Sequence, residues 1–289
     1  MKLVDSIKKL SLPLLKKPKP RLALQVSQRF IRLLGNTEGR KSTFPPQEVI
    51  FEDGDENKKI TVLKDLVNKF RIQGEGVITC IPATDGILKL YKYPSTINQK
   101  DLENAISWVI KRELAQIKEE TVYDYFILRD DKILNVALVM ARAESVNKLT
   151  DFIRSVGLRP EIVDYEILAI INYGIYHKLS IPFSTLYIDY DYSILLTYNT
   201  SNLGYSVIHW SYWEYSKNKN EELLESFFAE VRNLIVINDI SNIYAAGPAL
   251  ANESFLERLL ENLPVLGFLD AGELPPNFFI PYILSIREK

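Results

Sequence analysis

Residues 187–196 read YIDYDYSILL, which sets two carboxylates, Asp189 and Asp191, two positions apart in an apolar, tyrosine-rich run. Successive side chains of a strand point to opposite faces. The two acids are therefore expected side by side, with Ile188, Tyr190, Tyr192 and Ile194 on the other face. Such a pair fits a catalytic or metal-binding site, the remnant of one, or the solvated end of a hairpin. A dedicated metal site would want a histidine or a third acid close by in sequence, and neither is there. His177 in IYHKL and His209 in VIHWSYW have no partner at ligand spacing. Neither Ser27 nor Ser193 has an adjacent histidine to activate it, and Cys80 sits inside the apolar run GVITCIP, as a buried and inert thiol would. The GEG at 74–76 precedes a strand pattern, so it reads as a turn and not as a dinucleotide loop. No catalytic residue and no metal ligand is assigned.

The elements that must position these residues belong to a chain of 289 residues, 47% hydrophobic and 25% charged, enough to bury a large core in two domains or subdomains. A net charge of -2 gives no whole-molecule attraction to nucleic acid, and one cysteine excludes a disulfide framework. No apolar run is long enough to span a bilayer and the N-terminus has no cleavage-site pattern, so a cytoplasmic protein is expected. Residues 1–20 form a basic leader, with Lys2, Lys8, Lys9, Lys16, Lys17 and Lys19 against Asp5. It is expected to be poorly ordered, with weak contact to an anionic membrane surface as the alternative. Trp210, Tyr212, Trp213 and Tyr215 stand beside Lys217 and Lys219 in a stretch read as a strand. Aromatics on both of its faces point to core and interface and away from nucleic-acid stacking.

RLALQV (21–26) and RFIRLLG (29–35) read as strands joined through Ser27 and Gln28, and the turn-rich segment 36–57 as loop and edge structure. The apolar stripe of 60–70 predicts a helix. Strands GVITCIP and GILKLYKYP follow, then a helix over DLENAISWVIKRELA, strands TVYDYFILRD and ILNVALVMAR, a helix ending at Gly157, the strand PEIVDYE and an apolar helix. The second half repeats the theme with STLYIDY, SILLTYN and YSVIHWSYWEY, then helices at EELLESFFAEVRNLI and SFLERLLENL around NIYAAGP. A hairpin opens each half, so two similar α/β units with mixed sheets are expected.

In this order the pattern resembles the actin-like ATPase superfamily and, within it, the PilM family of type IV pilus assembly. The likeness runs over about residues 20–288 and is carried by the phrases GVITCIP, the Leu102 to Ile110 helix, ALVMAR and SVGLRPEIVD. That block looks like the small inserted subdomain of PilM and its relative FtsA. The resemblance implies an actin-like fold of two halves: the start of the first half over 21–75, the inserted subdomain over 76–165, and the second half with a return to the first over 166–289. It also implies ATP and magnesium at three glycine-bearing turns. At the first turn Gln25 stands for the acid, Ser27 for the glycine and Arg32 for the lysine. At the second Asp189 is kept and Asp191 replaces the glycine. At the third, YAAGPAL, Ala246 and Pro248 flank the retained Gly247. An aspartate in place of a phosphate-binding glycine adds a like charge, which costs on the order of 4 kcal/mol at about 4 Å and an effective dielectric near 20. The resemblance thus implies a pseudo-ATPase, with no bound cofactor.

Members of the PilM family are adaptors. By resemblance, a groove beside the inserted subdomain is expected to hold the cytoplasmic N-terminal peptide of a PilN-like inner-membrane protein, with Leu88, Leu90 and Tyr93 as the expected contacts. This would place the chain at the inner membrane through its partner, next to other platform or motor components, and self-assembly stays open. The rival readings are a cytoplasmic GspL-like component of a type II secretion platform and an active nucleotide-binding ATPase.

Overall fold

The computed structural model describes residues 22–35, 37–38, 41–42, 44–52, 54–129, 133–199 and 202–287. The leader at 1–20 lies outside the described residues. The first half contains β1 (Leu22–Val26), β2 (Phe30–Leu34), a two-residue pair β3 (Thr37–Glu38) and β4 (Lys41–Ser42), β5 (Gln47–Ile50), α1 (Glu56–Phe70) and β6 (Gly76–Ile81). Next come β7 (Gly86–Pro94), α2 (Gln99–Gln116), β8 (Thr121–Arg129), β9 (Ile133–Arg142), α3 (Ala143–Ser155) and β10 (Arg159–Tyr165). The rest comprises α4 (Glu166–Tyr176), β11 (Phe183–Ile188), β12 (Ser193–Asn199), β13 (Asn202–Ile208), α5 (Tyr212–Asn218), α6 (Glu221–Ile237), β14 (Ile243–Ala246), α7 (Glu253–Asn262), β15 (Val265–Phe268) and α8 (Phe279–Ile286).

Two five-stranded sheets, β10-β6-β1-β2-β5 and β13-β12-β11-β14-β15, have the same topology. In each, an antiparallel hairpin is extended by an antiparallel strand on one side and two parallel strands on the other. Helices cover both faces of each sheet, which is why β1, β2 and β11 are buried at nearly every position instead of alternating. On the outer face of the first sheet, α1 and α3 set Leu63, Val67 and Ile153 against Leu22, Leu24 and Ile31. On the second, α6 and α7 set Phe227, Phe228 and Phe255 against Leu186, Ile188 and Leu195. Helices α4 and α8 lie between the sheets in one core that takes Ala23 and Ile78 from the first and Tyr187 and Ile194 from the second. All eight residues of α8 are buried. The expected α/β architecture of two similar halves is thus observed.

The stretch 76–165, expected as one inserted unit, divides between two sheets. Strands β6 and β10 belong to the first five-stranded sheet, while 86–142 forms a separate sheet, β7-β9-β8. One face of that sheet packs on α2 through Leu134, Val136, Leu138 and Met140. The other, with Leu88, Ala137 and Val139, joins the central core.

The strand expected through YSVIHWSYWEY ends at Ile208, and α5 begins at Tyr212. Ser211 turns the chain by accepting the Glu214 N–H on its hydroxyl, an N-cap that a strand reading overlooks. Trp210, Tyr212 and Tyr215 then all reach the second half's core, where Trp210 stacks on Phe227 with ring centroids 4.1 Å apart.

Candidate functional site

The two hairpins that open the halves meet tip to tip. Each closes through four residues, between the Val26–Ile31 pair in the first and the Ile188–Ser193 pair in the second. Each is tied by the same bond: the Ser27 N–H donates to the Phe30 carbonyl at 3.0 Å and the Asp189 N–H to the Tyr192 carbonyl at 3.1 Å. Asp189 therefore occupies the loop position of Ser27, not that of Gln25, and Asp191 matches Arg29. The two acids lie in a turn, and the strand rule that would put them side by side does not apply. Asp189 is buried, whereas the Asp191 side chain is 30% exposed.

Each acid meets an arginine from the opposite half. The guanidinium of Arg32, fully buried on β2, donates from Nη2 to Asp189 Oδ1 at 3.1 Å and from Nη1 to Asp189 Oδ2 at 3.3 Å. Its Nη1 also donates to Gln25 Oε1 at 3.1 Å and its Nε to Glu48 Oε1 at 2.7 Å. The ring of Phe30 lies 3.7 Å beneath it. Burial opposes the Arg32 charge, but Asp189, Tyr187 and Glu48 outweigh it and hold the guanidinium above its usual pKa. Asp189 further accepts the Tyr187 hydroxyl at 2.7 Å and the Tyr190 N–H at 2.8 Å. Nearer the surface, Arg29 Nε donates to Asp191 Oδ1 at 2.5 Å, and Trp213 lies under both Arg29 and Lys217.

Three members of this network carry little local signal. Glu48, on the edge strand β5, also accepts the Asn277 amide at 2.6 Å and the Tyr190 hydroxyl at 3.4 Å. Arg29 stands in a hairpin turn beside the more conspicuous Arg32. Glu166 opens α4 as a carboxylate inside the apolar run IVDYEILAII, which was the available clue. It accepts the Tyr192 hydroxyl at 2.5 Å, the Ala83 N–H at 3.0 Å and the Gln25 amide at 3.4 Å. Burial, then the charge of Asp189, raises its pKa to about 7 against the opposing pull of Tyr192, Ala83 and Arg32. The third turn closes the ring. Gly247 has φ +106°, and a Cβ there would lie 2.5 Å from the Ile188 carbonyl oxygen, so only glycine lets the backbones of β11 and this turn touch.

Gln25, Ser27, Arg32, Asp189, Asp191, Ala246 and Gly247 thus gather around one cleft or support it. Leu88, Leu90 and Tyr93 do not form one surface. Strand alternation turns Leu88 into the central core with Leu90 packed beside it, while Tyr93 faces α2. The Leu88 N–H donates to the Tyr205 hydroxyl at 3.1 Å. Cys80 is buried, as its apolar context suggested. His177 stacks on Tyr173 at the end of α4, and His209 is exposed. Among the described residues no cluster of three His, Cys, Asp or Glu side chains could hold a metal ion, and no helix is long and apolar enough to cross a membrane.

No protein-family model matches the chain, and no curated protein matches it in sequence. Solved structures do match in shape. A PilM–PilN type IV pilus biogenesis complex superposes with a TM-score of 0.76 over 93% of this chain and 98% of the other, at 16% identity. The ethanolamine utilization protein EutJ from Carboxydothermus hydrogenoformans follows at 0.53 over 98% and 94%, with 13% identity. The chain has the actin-like ATPase fold. Within that fold its shape is similar to PilM. The cytoplasmic domain of EpsL from Vibrio cholerae aligns over 64% of the chain and 70% of its own length at 17% identity and a TM-score of 0.43, a likeness too loose to weigh.

The residues at the three turns of this actin-like fold do not fit a magnesium nucleotide. The cleft between them retains a cavity of about 20 Å³, lined by Gln25, Ser27, Glu166, Asp189 and Tyr192. That is room for about one water, whereas small-molecule pockets run to roughly 300–1,000 Å³. The cation that faces Asp189 is the side chain of Arg32 itself.

Proposed function

We propose that this chain is a PilM-like scaffold that joins a pilus or related secretion platform without nucleotide control. The observation that carries this reading is the buried Arg32–Asp189 bridge, which fills the cleft where an actin-like ATPase would take a phosphate and its metal. The fold shared with a PilM solved together with PilN supports an adaptor role, in which the chain holds the cytoplasmic N-terminal peptide of a PilN-like single-span membrane protein. The protein would then lie in the cytoplasm, peripheral to the inner membrane through that partner. An extended peptide could lie in the open groove of about 810 Å³ between α1, α3 and the foot of the three-stranded sheet.

Calorimetric titration of the full chain separates the readings. Silence with magnesium and ATP, together with binding of a synthetic peptide copying the cytoplasmic N-terminal segment of a PilN-like single-span membrane protein, is the expected result. Micromolar ATP binding would overturn the pseudo-ATPase reading and favour an active enzyme. Preference for a type II secretion peptide over a pilus peptide would favour the GspL-like alternative.

A further inference from the structure

We propose that the ligand of the groove between α1 and α3 includes this chain's own N-terminal leader, bound in cis. The groove is strongly acidic: Glu56, Glu119, Glu120, Glu144 and Asp151 line it against two cations, Arg142 and Lys148. Both cations are already engaged, Arg142 with Asp85 at 2.9 Å and Lys148 with Glu144 at 2.7 Å. Glu56 and Glu120 have no ion-pair partner among the described residues. The lining also includes the apolar side chains of Ile60 and Phe152.

The leader complements this surface in both respects. Residues 1–21 carry six lysines and Arg21 against Asp5, with Leu3, Val4, Ile7, Leu10 and Leu12 spaced among them. It also leads directly into β1. Leu22, the first residue of β1, belongs to the same hydrophobic cluster as Ile60 and Phe152. An extended stretch of 21 residues reaches roughly 70 Å, so it spans any groove on this face with length to spare. Tethering raises the local concentration of the leader to roughly the millimolar range, so a weak electrostatic match suffices for occupancy. A partner peptide entering the groove would have to displace it. The leader's occupancy does not depend on which partner that is.

The test uses the full chain with a nitroxide on Ser11→Cys; Cys80 is buried and stays unlabelled. Loss of amide signals at 56–60 and 144–155 in low salt, restored in 1 M salt, is expected, because the screening length falls to about 3 Å there. The variant Glu119→Lys/Glu120→Lys, at two exposed positions, should restore the signals at low salt, and so should Lys16→Glu/Lys17→Glu/Lys19→Glu in the leader. Signals unaffected in the unaltered chain, or lost on another face, overturn the proposal. So does a label that leaves the groove unbroadened yet is immobilised by phosphatidylserine vesicles, which would assign the leader to a membrane surface.

Discussion

Replacing Arg32 with methionine tests whether the cleft is held shut by an internal ion pair. The guanidinium is fully buried and satisfies acceptors on three separate elements: Asp189 in the second hairpin, Glu48 on β5 and Gln25 on β1. Removing one partner of a buried pair costs about 3–5 kcal/mol, because the other charge is left without compensation. Arg32→Met is expected at the upper part of that range, since it strands Asp189 and weakens the support of Glu48. Asp189→Asn keeps one oxygen to accept the Tyr190 N–H and sets an amide NH2 against the Tyr187 oxygen, while removing the charge. The double variant should therefore cost less than the two single changes added together, by about 2 kcal/mol or more. Urea unfolding followed by tryptophan fluorescence measures this, with Trp213 at the cleft mouth and Trp210 in the second core as reporters. A loss below about 1 kcal/mol for Arg32→Met, or strict additivity in the cycle, would show that the bridge is incidental and would refute the closed-cleft argument.

Other expectations follow from the same site. Glu166 titrates at about 7 in the fold against 4.5 for its ordinary value. Below the lower value both states are protonated and the shift has no effect. Between the two values only the unfolded chain ionises, so stability falls as pH rises, reaching about 3 kcal/mol of loss above pH 7. Glu166→Gln should remove this slope, and a stability difference between variant and parent that is the same at pH 5 and pH 8 would contradict it. Gly247→Ala is expected to cost about 2 kcal/mol or more, from its positive φ and the contact with the Ile188 carbonyl, measurable as a lowered melting temperature. Burial lifts the Cys80 thiol well above its ordinary pKa, so a thiol reagent should react only as fast as the core opens. Rapid native labelling would mean that the cleft breathes.

Much of the architecture was legible because each half writes the same pattern. The stripe Val62, Leu63, Leu66 and Val67 gave α1, and Leu102, Ile106, Val109 and Ile110 gave α2. The order of strands and helices from 76 to 165 was read correctly, but their division between two sheets was not, since pairing of β6 with β1 and β10 is a tertiary choice that no local period encodes. The cleft was half legible. The three turns could be located one at a time, and yet what fills the cleft depends on contacts across the chain, with Arg32 and Asp189 separated by 157 positions and Gln25 and Glu166 by 141. The alternation that paired Asp189 with Asp191 failed for a simple reason: the strand stops at Ile188, and the turn sends one acid inward and the other outward.

A closed cleft changes what the fold can do. A nucleotide that bridges two halves makes their closure depend on its concentration and on hydrolysis, so the angle between the halves can report a chemical state. In this chain the bridge consists of Arg32 with Asp189 and Arg29 with Asp191, side chains already tethered to the halves they join. Their association carries no translational cost. Under the scaffold reading the surfaces of both halves are then presented in one fixed relation, which suits a component that must hold a partner at all times. The same logic makes Arg32 the position that decides between readings. If the halves of Arg32→Met open and the variant still binds the partner peptide with parental affinity, the groove is independent of the cleft. If binding weakens with opening, the bridge has taken over the positioning role that a nucleotide plays in an actin-like ATPase.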